Sequence, residues 1–116
     1  VKHFKEKKDV IELGNLHVER EFNDISYMCE VYKRLLESQS KSEVVNTSSN
    51  RGIQLLDVIS IMNEISDYKI KVEVNPAFVR KDEIKSLTGS TNKLFSLIGN
   101  IKQKDFKLTL KEMLEA

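Results

Sequence analysis

Arg80 and Glu83 stand in a single charged run, Arg80–Lys81–Asp82–Glu83, which puts a guanidinium and a carboxylate into one short loop. A guanidinium is a planar cation with several fixed N–H donors and suits an anion with paired oxygens, whereas an ionised carboxylate can accept from two neighbouring hydroxyls. Taken alone, the same run is also the solvated charge cluster of an exposed loop. Arg20, set between Glu19 and Glu21, is a second guanidinium whose ordinary role would be a surface ion pair with either neighbour. His3 and His17 have no Cys, Asp or Glu at metal-ligand spacing, so no metal site is expected. Cys29 is expected on the apolar face of a helix as a small buried hydrophobe, without the electropositive, accessible setting that a nucleophile needs. The Asp and Glu side chains spread over helix surfaces and do not converge on an acid–base pair. The glycines, at 14, 52, 89 and 99, are too scattered to form a Gly-rich phosphate loop of either the dinucleotide or the P-loop type. No residue is assigned a catalytic role.

The elements that would position these residues are short. Val1–Asp9, rich in Lys, reads as a helix end, where cations suit the macrodipole. Val10–Leu13 is a strand closed by Gly14–Asn15, a turn pair that tolerates positive φ. A further extended piece carries Arg20 and Phe22. From Asp24 to about Ser38, Ile25, Met28, Cys29, Tyr32, Leu35 and Leu36 recur at the spacing of one helical face. Val44–Val45–Asn46 reads as a short buried strand, and a helix from about Gln54 to Ile65 follows the polar run Thr47–Gly52. Lys69–Val74 alternates, with Ile70, Val72 and Val74 on one side and Lys69, Lys71 and Glu73 on the wet side. Asn75–Pro76 ends it, and Ala77–Leu87 shows no period. Ser90 is the expected cap of a short helix bearing Leu94, Leu97 and Ile98 that Gly99 stops, and the last helix starts near Phe106.

The chain of 116 residues is expected to form one α+β domain, residues 1–116, of about four helices and three or four short strands. Its formal charge of +1, from 19 Lys and Arg against 18 Asp and Glu, gives no broad footprint for nucleic acid or an anionic membrane. No apolar run reaches the roughly 18–20 residues of a spanning helix, so no membrane association is expected. One cysteine forms no internal bridge, which points to a reducing, cytoplasmic location. The start at Val1, without Met, signal or transit segment, carries the expectation that the chain is a piece of something longer.

Several segments, in order, resemble one family. Leu13–Gly14–Asn15–Leu16 with Arg20–Glu21–Phe22–Asn23–Asp24–Ile25 is similar to the LGNLxxxRDFxDV stretch of GDP-mannose 4,6-dehydratases and GDP-6-deoxy-mannose reductases. Val44–Ser49 resembles their YNVGSG segment, and Phe78–Ile84 with Leu87–Thr88–Gly89 resembles LRPxDVxxLxGD. Asn92–Lys93–Leu94 with Gly99 resembles SKLxxxxGW, and Thr109–Leu114 resembles TLRDLLxYW. By these motifs the chain is identified as the C-terminal, substrate-binding portion of an extended short-chain dehydrogenase/reductase. It departs from the pattern at Tyr27, where the family has Asp, so that Asp24 or Ser26 must cap the helix. It departs again at Lys81 for Pro, Ser90 for Asp and Asn100 for Trp.

The resemblance implies an NAD-dependent epimerase/dehydratase fold with the Rossmann half missing. NAD or NADP would be bound by that half, and no cofactor is expected on this chain alone. The Tyr-x-x-x-Lys pair would also lie upstream, so the 116-residue chain is expected to be inactive although the full-length enzyme is a lyase or oxidoreductase. Binding roles carry over to the backbone of Leu13, Gly14 and Asn15 near the base, to Arg20 on the nucleotide, to Arg80 on the diphosphate and to Glu83 on the ribose hydroxyls. The implied partners are a GDP-sugar, the Rossmann half docked on the Asp24–Ser38 helix and the Val44–Asn46 strand, and a second copy through self-association. Two alternatives stand beside this reading: a UDP- or dTDP-sugar epimerase or dehydratase, and a non-catalytic α+β binding or interaction module.

Overall fold

The computed structural model describes every residue from Val1 to Ala116. In chain order the elements are α1 (Lys2–Lys5), β1 (Val10–Leu13), β2 (Glu19–Glu21), α2 (Ile25–Glu37), β3 (Gly52–Gln54), α3 (Leu55–Ser66), β4 (Lys71–Val74), a 3-10 turn (Pro76–Phe78), β5 (Ser86–Leu87), α4 (Asn92–Ile98) and α5 (Phe106–Glu115). β1 and β4 form a parallel pair, from Val10 opposite Lys71 to Leu13 opposite Val74. β2 is the middle strand of a second sheet, antiparallel to β3 and parallel to β5. The expected α+β architecture is present, with one more helix and more strands than the periodicity indicated.

Two small apolar centres hold the chain. In the first, Phe4, Ile59, Met62, Ile70, Phe106 and Leu110 join α1, α3, the start of β4 and α5. In the second, Tyr27, Val31 and Leu94 join α2 to α4, with Met28, Leu35, Val45 and Phe95 packed around them. The Cα extents are 51 × 35 × 16 Å, and the radius of gyration is 16.9 Å. A self-contained domain of this length would have a radius of roughly 13 Å. A plate this thin cannot cover both faces of its helices, which accounts for the apolar surface left in water.

That surface corrects two expectations on α2. The packed stripe is Tyr27, Met28, Val31 and Leu35, whereas Ile25, Tyr32 and Leu36 are 76%, 54% and 87% exposed and Cys29 is exposed with them. Apolar residues cover two faces of this helix, and periodicity cannot say which of them the chain itself buries. Val44–Val45–Asn46 is not a strand: no sheet edge reaches it, Val44 is 87% exposed, and its carbonyl accepts from Lys93 Nζ at 2.8 Å. The strand lies later, at β3. The Lys69–Val74 alternation is present, with Ile70 buried, but Val74 is half exposed where the plate ends. Thr91 rather than Ser90 is the boundary residue of α4, while Ser90 Oγ accepts the Asn92 N–H at 3.3 Å.

Asp24 caps α2, accepting the Ser26 N–H at 2.8 Å and the Ser26 hydroxyl, and it also accepts the Thr109 hydroxyl of α5 at 2.7 Å. The hydroxyls of Ser26 and Thr109 hold its pKa down at about 2, against a smaller opposing effect of burial. A depressed carboxylate stabilises the fold above its unfolded value, 3.8, and that contribution disappears as pH falls from there to about 2. Asp24→Asn is expected to remove about 1–2 kcal/mol at neutral pH and to flatten the acid limb of the stability profile. Denaturation midpoints measured from pH 7 to pH 2 check this.

Candidate functional site

The loop between β4 and β5 is fastened to the end of β1. Asn75 N–H donates to the Leu13 carbonyl at 2.8 Å, Asn75 Oδ1 accepts the Ala77 N–H at 2.9 Å to start the 3-10 turn, and Asn15 Nδ2 donates to the Arg80 carbonyl at 3.1 Å. Gly14 is needed for space: a Cβ there would sit 2.2 Å from the Phe78 carbonyl oxygen. Neither Gly14 nor Asn15 takes the positive φ that such a turn pair tolerates. The tight approach of two backbones, rather than a left-handed turn, is what calls for glycine at this position.

Arg80 therefore has a fixed backbone and an exposed side chain, and its guanidinium makes no hydrogen bond or ion pair. It opens onto a surface cleft beside Asn15, His17, Lys81, Glu83 and Lys85. Arg80, Lys81 and Lys85 are cationic and the Glu83 carboxylate is neutralised from behind by Arg20, so the cleft favours an anion. Arg20 pairs with neither Glu19 nor Glu21 through their carboxylates. Its Nη1 donates to the carbonyls of Glu19 at 2.7 Å and Ile84 at 2.9 Å, and its Nη2 pairs with Glu83; the two side chains are 27% and 19% exposed. Of the six expected binding residues, Asn15, Arg80 and Glu83 line this one cleft and Arg20 joins it through Glu83, whereas Leu13 and Gly14 stand at the end of β1 against the base of the loop, outside the cleft lining.

Sequence reasoning missed Lys85 and His17 on the rim, and above all Glu21. Its side chain alternates to the opposite side of β2 from Arg20. One carboxylate oxygen accepts the N–H groups of Gly89 at 2.7 Å and Asn50 at 3.1 Å, and the other accepts the Ser49 N–H at 2.9 Å. Burial by itself would raise the Glu21 pKa, but the hydrogen bonds from the Ser49 and Gly89 amides and from the Asn23 side chain outweigh it and hold the group below its usual value. The loop it grips is also tied by the Tyr27 hydroxyl to the Ser48 carbonyl at 2.8 Å and by Gln103 Nε2 to the Ser49 carbonyl at 2.9 Å. Tyr27, the departure from the family pattern, thus has a structural bond of its own. The available signal for Glu21 was its place in register beside Arg20 on a strand flanked by Ser-rich and Gly-containing loops.

No family model matches the chain. GDP-6-deoxy-D-talose 4-dehydrogenase of Aggregatibacter actinomycetemcomitans is 30% identical over 109 residues, covering 94% of this chain and 36% of the relative. GDP-6-deoxy-D-mannose reductase of Pseudomonas aeruginosa is 26% identical over 89 residues, covering 77% of this chain and 29% of the relative. A Burkholderia cenocepacia protein provisionally assigned as an epimerase superposes with a TM-score of 0.93 at 34% identity, over 97% of this chain and 37% of its own. The chain matches the C-terminal part of extended short-chain dehydrogenase/reductases. It spans about a third of the length of the curated relatives it matches. A point mutant of UDP-glucuronic acid 4-epimerase of Bacillus cereus, solved with NAD and a fluorinated UDP-glucuronic acid, shares the fold over 98% of this chain and 36% of its own, at a TM-score of 0.84 and 20% identity.

Proposed function

We propose that this chain is the sugar-nucleotide-binding portion of an NAD(P)-dependent enzyme acting on a GDP-linked deoxyhexose, as a reductase or as a GDP-mannose 4,6-dehydratase-like lyase. The observation that carries the reading is the free guanidinium of Arg80, held beside Asn15 and Glu83 in a cationic cleft. Similarity to a GDP-sugar dehydrogenase over 94% of the chain supports it. In this reading Arg80 forks onto the diphosphate, Glu83 accepts from the ribose diol, and the Leu13–Asn15 backbone borders the base. The scattered glycines here do not fit a dinucleotide, so NAD(P) is assigned to a nucleotide-binding half outside these residues, and the chain alone carries no turnover. A cytoplasmic location goes with the reading.

Calorimetric titration of GDP, UDP and dTDP into the full-length protein tests it. Arg80→Ala is expected to weaken GDP binding at least tenfold, since one or two charge-assisted hydrogen bonds of about 1.5–3 kcal/mol each are removed. Arg80→Lys should recover only part of the loss, because an ammonium keeps the charge without the fork. A folded Arg80→Ala protein that binds GDP as tightly as the parent overturns the assignment, and tighter binding of UDP or dTDP moves the substrate class.

The exposed stripe Ile25, Cys29, Tyr32 and Leu36 is, in the same reading, the face on which the nucleotide-binding half docks. Without that cover the isolated chain is expected to self-associate, and Ile25→Glu with Leu36→Glu to shift it toward monomer. Light scattering across concentration reads the change; a strictly monomeric parent chain counts against the docking face.

A further inference from the structure

We infer that the apolar pocket between α1, α3 and α5 seats the residues that precede Val1 in the full-length protein, and that those residues continue α1 upstream as an amphipathic helix. The inference is independent of which ligand the Arg80 cleft takes. The pocket has a volume of about 470 Å3 and is lined mainly by apolar side chains. Phe4, Met62, Phe106 and Leu110 in its wall are buried, whereas Phe22 and Met113 are 40% and 50% exposed. None of its lining residues lies on α2, so it is a second apolar surface, separate from the stripe of Ile25 and Leu36. Apolar surface gathered in one place in this way marks a contact with something that covers it.

The two ends of α1 indicate the occupant. Its C-terminal end is complete: Lys7 takes a positive φ of 48°, and the Lys8 N–H reaches back to the His3 carbonyl at 2.9 Å, the six-to-one bond of a finished helix. The other end is not. The first amides bonded are those of Phe4 and Lys5, to the Val1 carbonyl at 2.9 and 3.1 Å, so the N–H groups of Lys2 and His3 have no acceptor, and no side chain caps them. A helix of four residues does not stand on its own, because one turn cannot offset the cost of nucleation. α1 is therefore the last turn of a longer helix. Val1 and Phe4, three residues apart, both line the pocket, and Val1 is only partly buried where Phe4 is buried, so the next turn upstream lies over the opening. The curated relatives carry most of their length outside the matched region, which is their C-terminal part, and family membership thus provides the upstream residues. Seated there, the helix passes directly into β1, whose end holds the Arg80 loop.

The face shared by Val1 and Phe4 recurs three or four and then seven residues before Val1, so those positions are expected to be apolar, and charged residues at all of them overturn the inference. Hydrogen exchange resolved to single residues in the full-length protein is the direct measurement. The Lys2 and His3 amides are expected to exchange about a hundredfold or more slowly than in an unstructured peptide. Met113→Glu, which sets a charge in the pocket lining, should speed them at least tenfold, while Leu108→Glu, at an exposed position of α5 outside the pocket, should leave them within about twofold. Lys2 and His3 amides that exchange at unstructured rates overturn the continuation of α1. Protection unchanged by Met113→Glu places the helix elsewhere, and protection that rises with protein concentration puts a second copy in the pocket; either result overturns the seating. Anilinonaphthalene sulfonate that binds the full-length parent but not Met113→Glu reveals an open pocket and overturns it as well. Should Met113→Glu not fold, as judged by circular dichroism, Met113→Gln takes its place. A failed GDP titration leaves all of these results standing.

Discussion

Glu21→Ala is expected to cost about 2–3 kcal/mol, enough to unfold much of an isolated chain whose centres are this small. The substitution removes a carboxylate that accepts three backbone N–H groups, those of Ser49, Asn50 and Gly89. Ser48 and Ser49 are buried, so water does not freely take the place of the lost acceptor. Glu21→Gln keeps one oxygen but turns an amide NH2 toward amide donors, and it should recover less than half the loss. The sign of the pH effect is fixed by the direction of the shift. A carboxyl held below its ordinary 4.5 contributes at neutral pH and ceases to contribute as pH falls through its folded value. Urea titrations of parent, Glu21→Ala and Glu21→Gln at pH 7 and at pH 3 check the point; equal stability of all three at pH 7 would remove Glu21 from the account of the fold.

Gly14→Ala should be nearly as damaging for a different reason. The new methyl would stand 2.2 Å from the Phe78 carbonyl oxygen and 2.8 Å from its carbon, and both belong to backbone that no side-chain rotation can move away. Relief requires the 3-10 turn to back off from β1, stretching the Asn75–Leu13 and Asn15–Arg80 hydrogen bonds. Overpacking of this kind costs about 1–3 kcal/mol. Since Arg80 hangs from the displaced segment, GDP affinity should fall together with stability, whereas Glu21→Ala at matched folded fraction should leave the Arg80 cleft closer to intact. Measuring denaturation midpoint and GDP affinity on both variants separates the two effects.

The strongly periodic elements were readable because their own residues decide them. α2, α3, α5 and the alternating β4 all appear within a residue or two of where apolar spacing, Asp24 and the Asn75–Pro76 break put them. β5, two residues long, has no period to detect and exists only because β2 lies beside it. The Val44–Asn46 strand failed in the opposite way, since β-branched residues favour an extended backbone but cannot supply a partner. The same limit applies to the site. Residue types put Arg80 and Glu83 together in one loop and only the family resemblance added Arg20, yet the division into one committed and one free guanidinium depends on the Glu19 and Ile84 carbonyls, which any sequence possesses. For Gly14 the sequence showed only a permissive turn pair, because the close approach of Phe78 that demands glycine arises more than sixty residues downstream.

The pairing of β1 with β4 also sets a timetable. Roughly sixty residues separate the paired positions, so at about 5–20 residues per second of synthesis β1 waits about 3–12 s before the strand that covers its edge has even been made. During that interval Val10–Leu13 presents open backbone, and Gly14 has no Phe78 carbonyl to meet. The docking of the Arg80 loop onto the end of β1 is therefore among the late events in the life of the nascent chain, and the cleft comes into being only after the elements around it are in place.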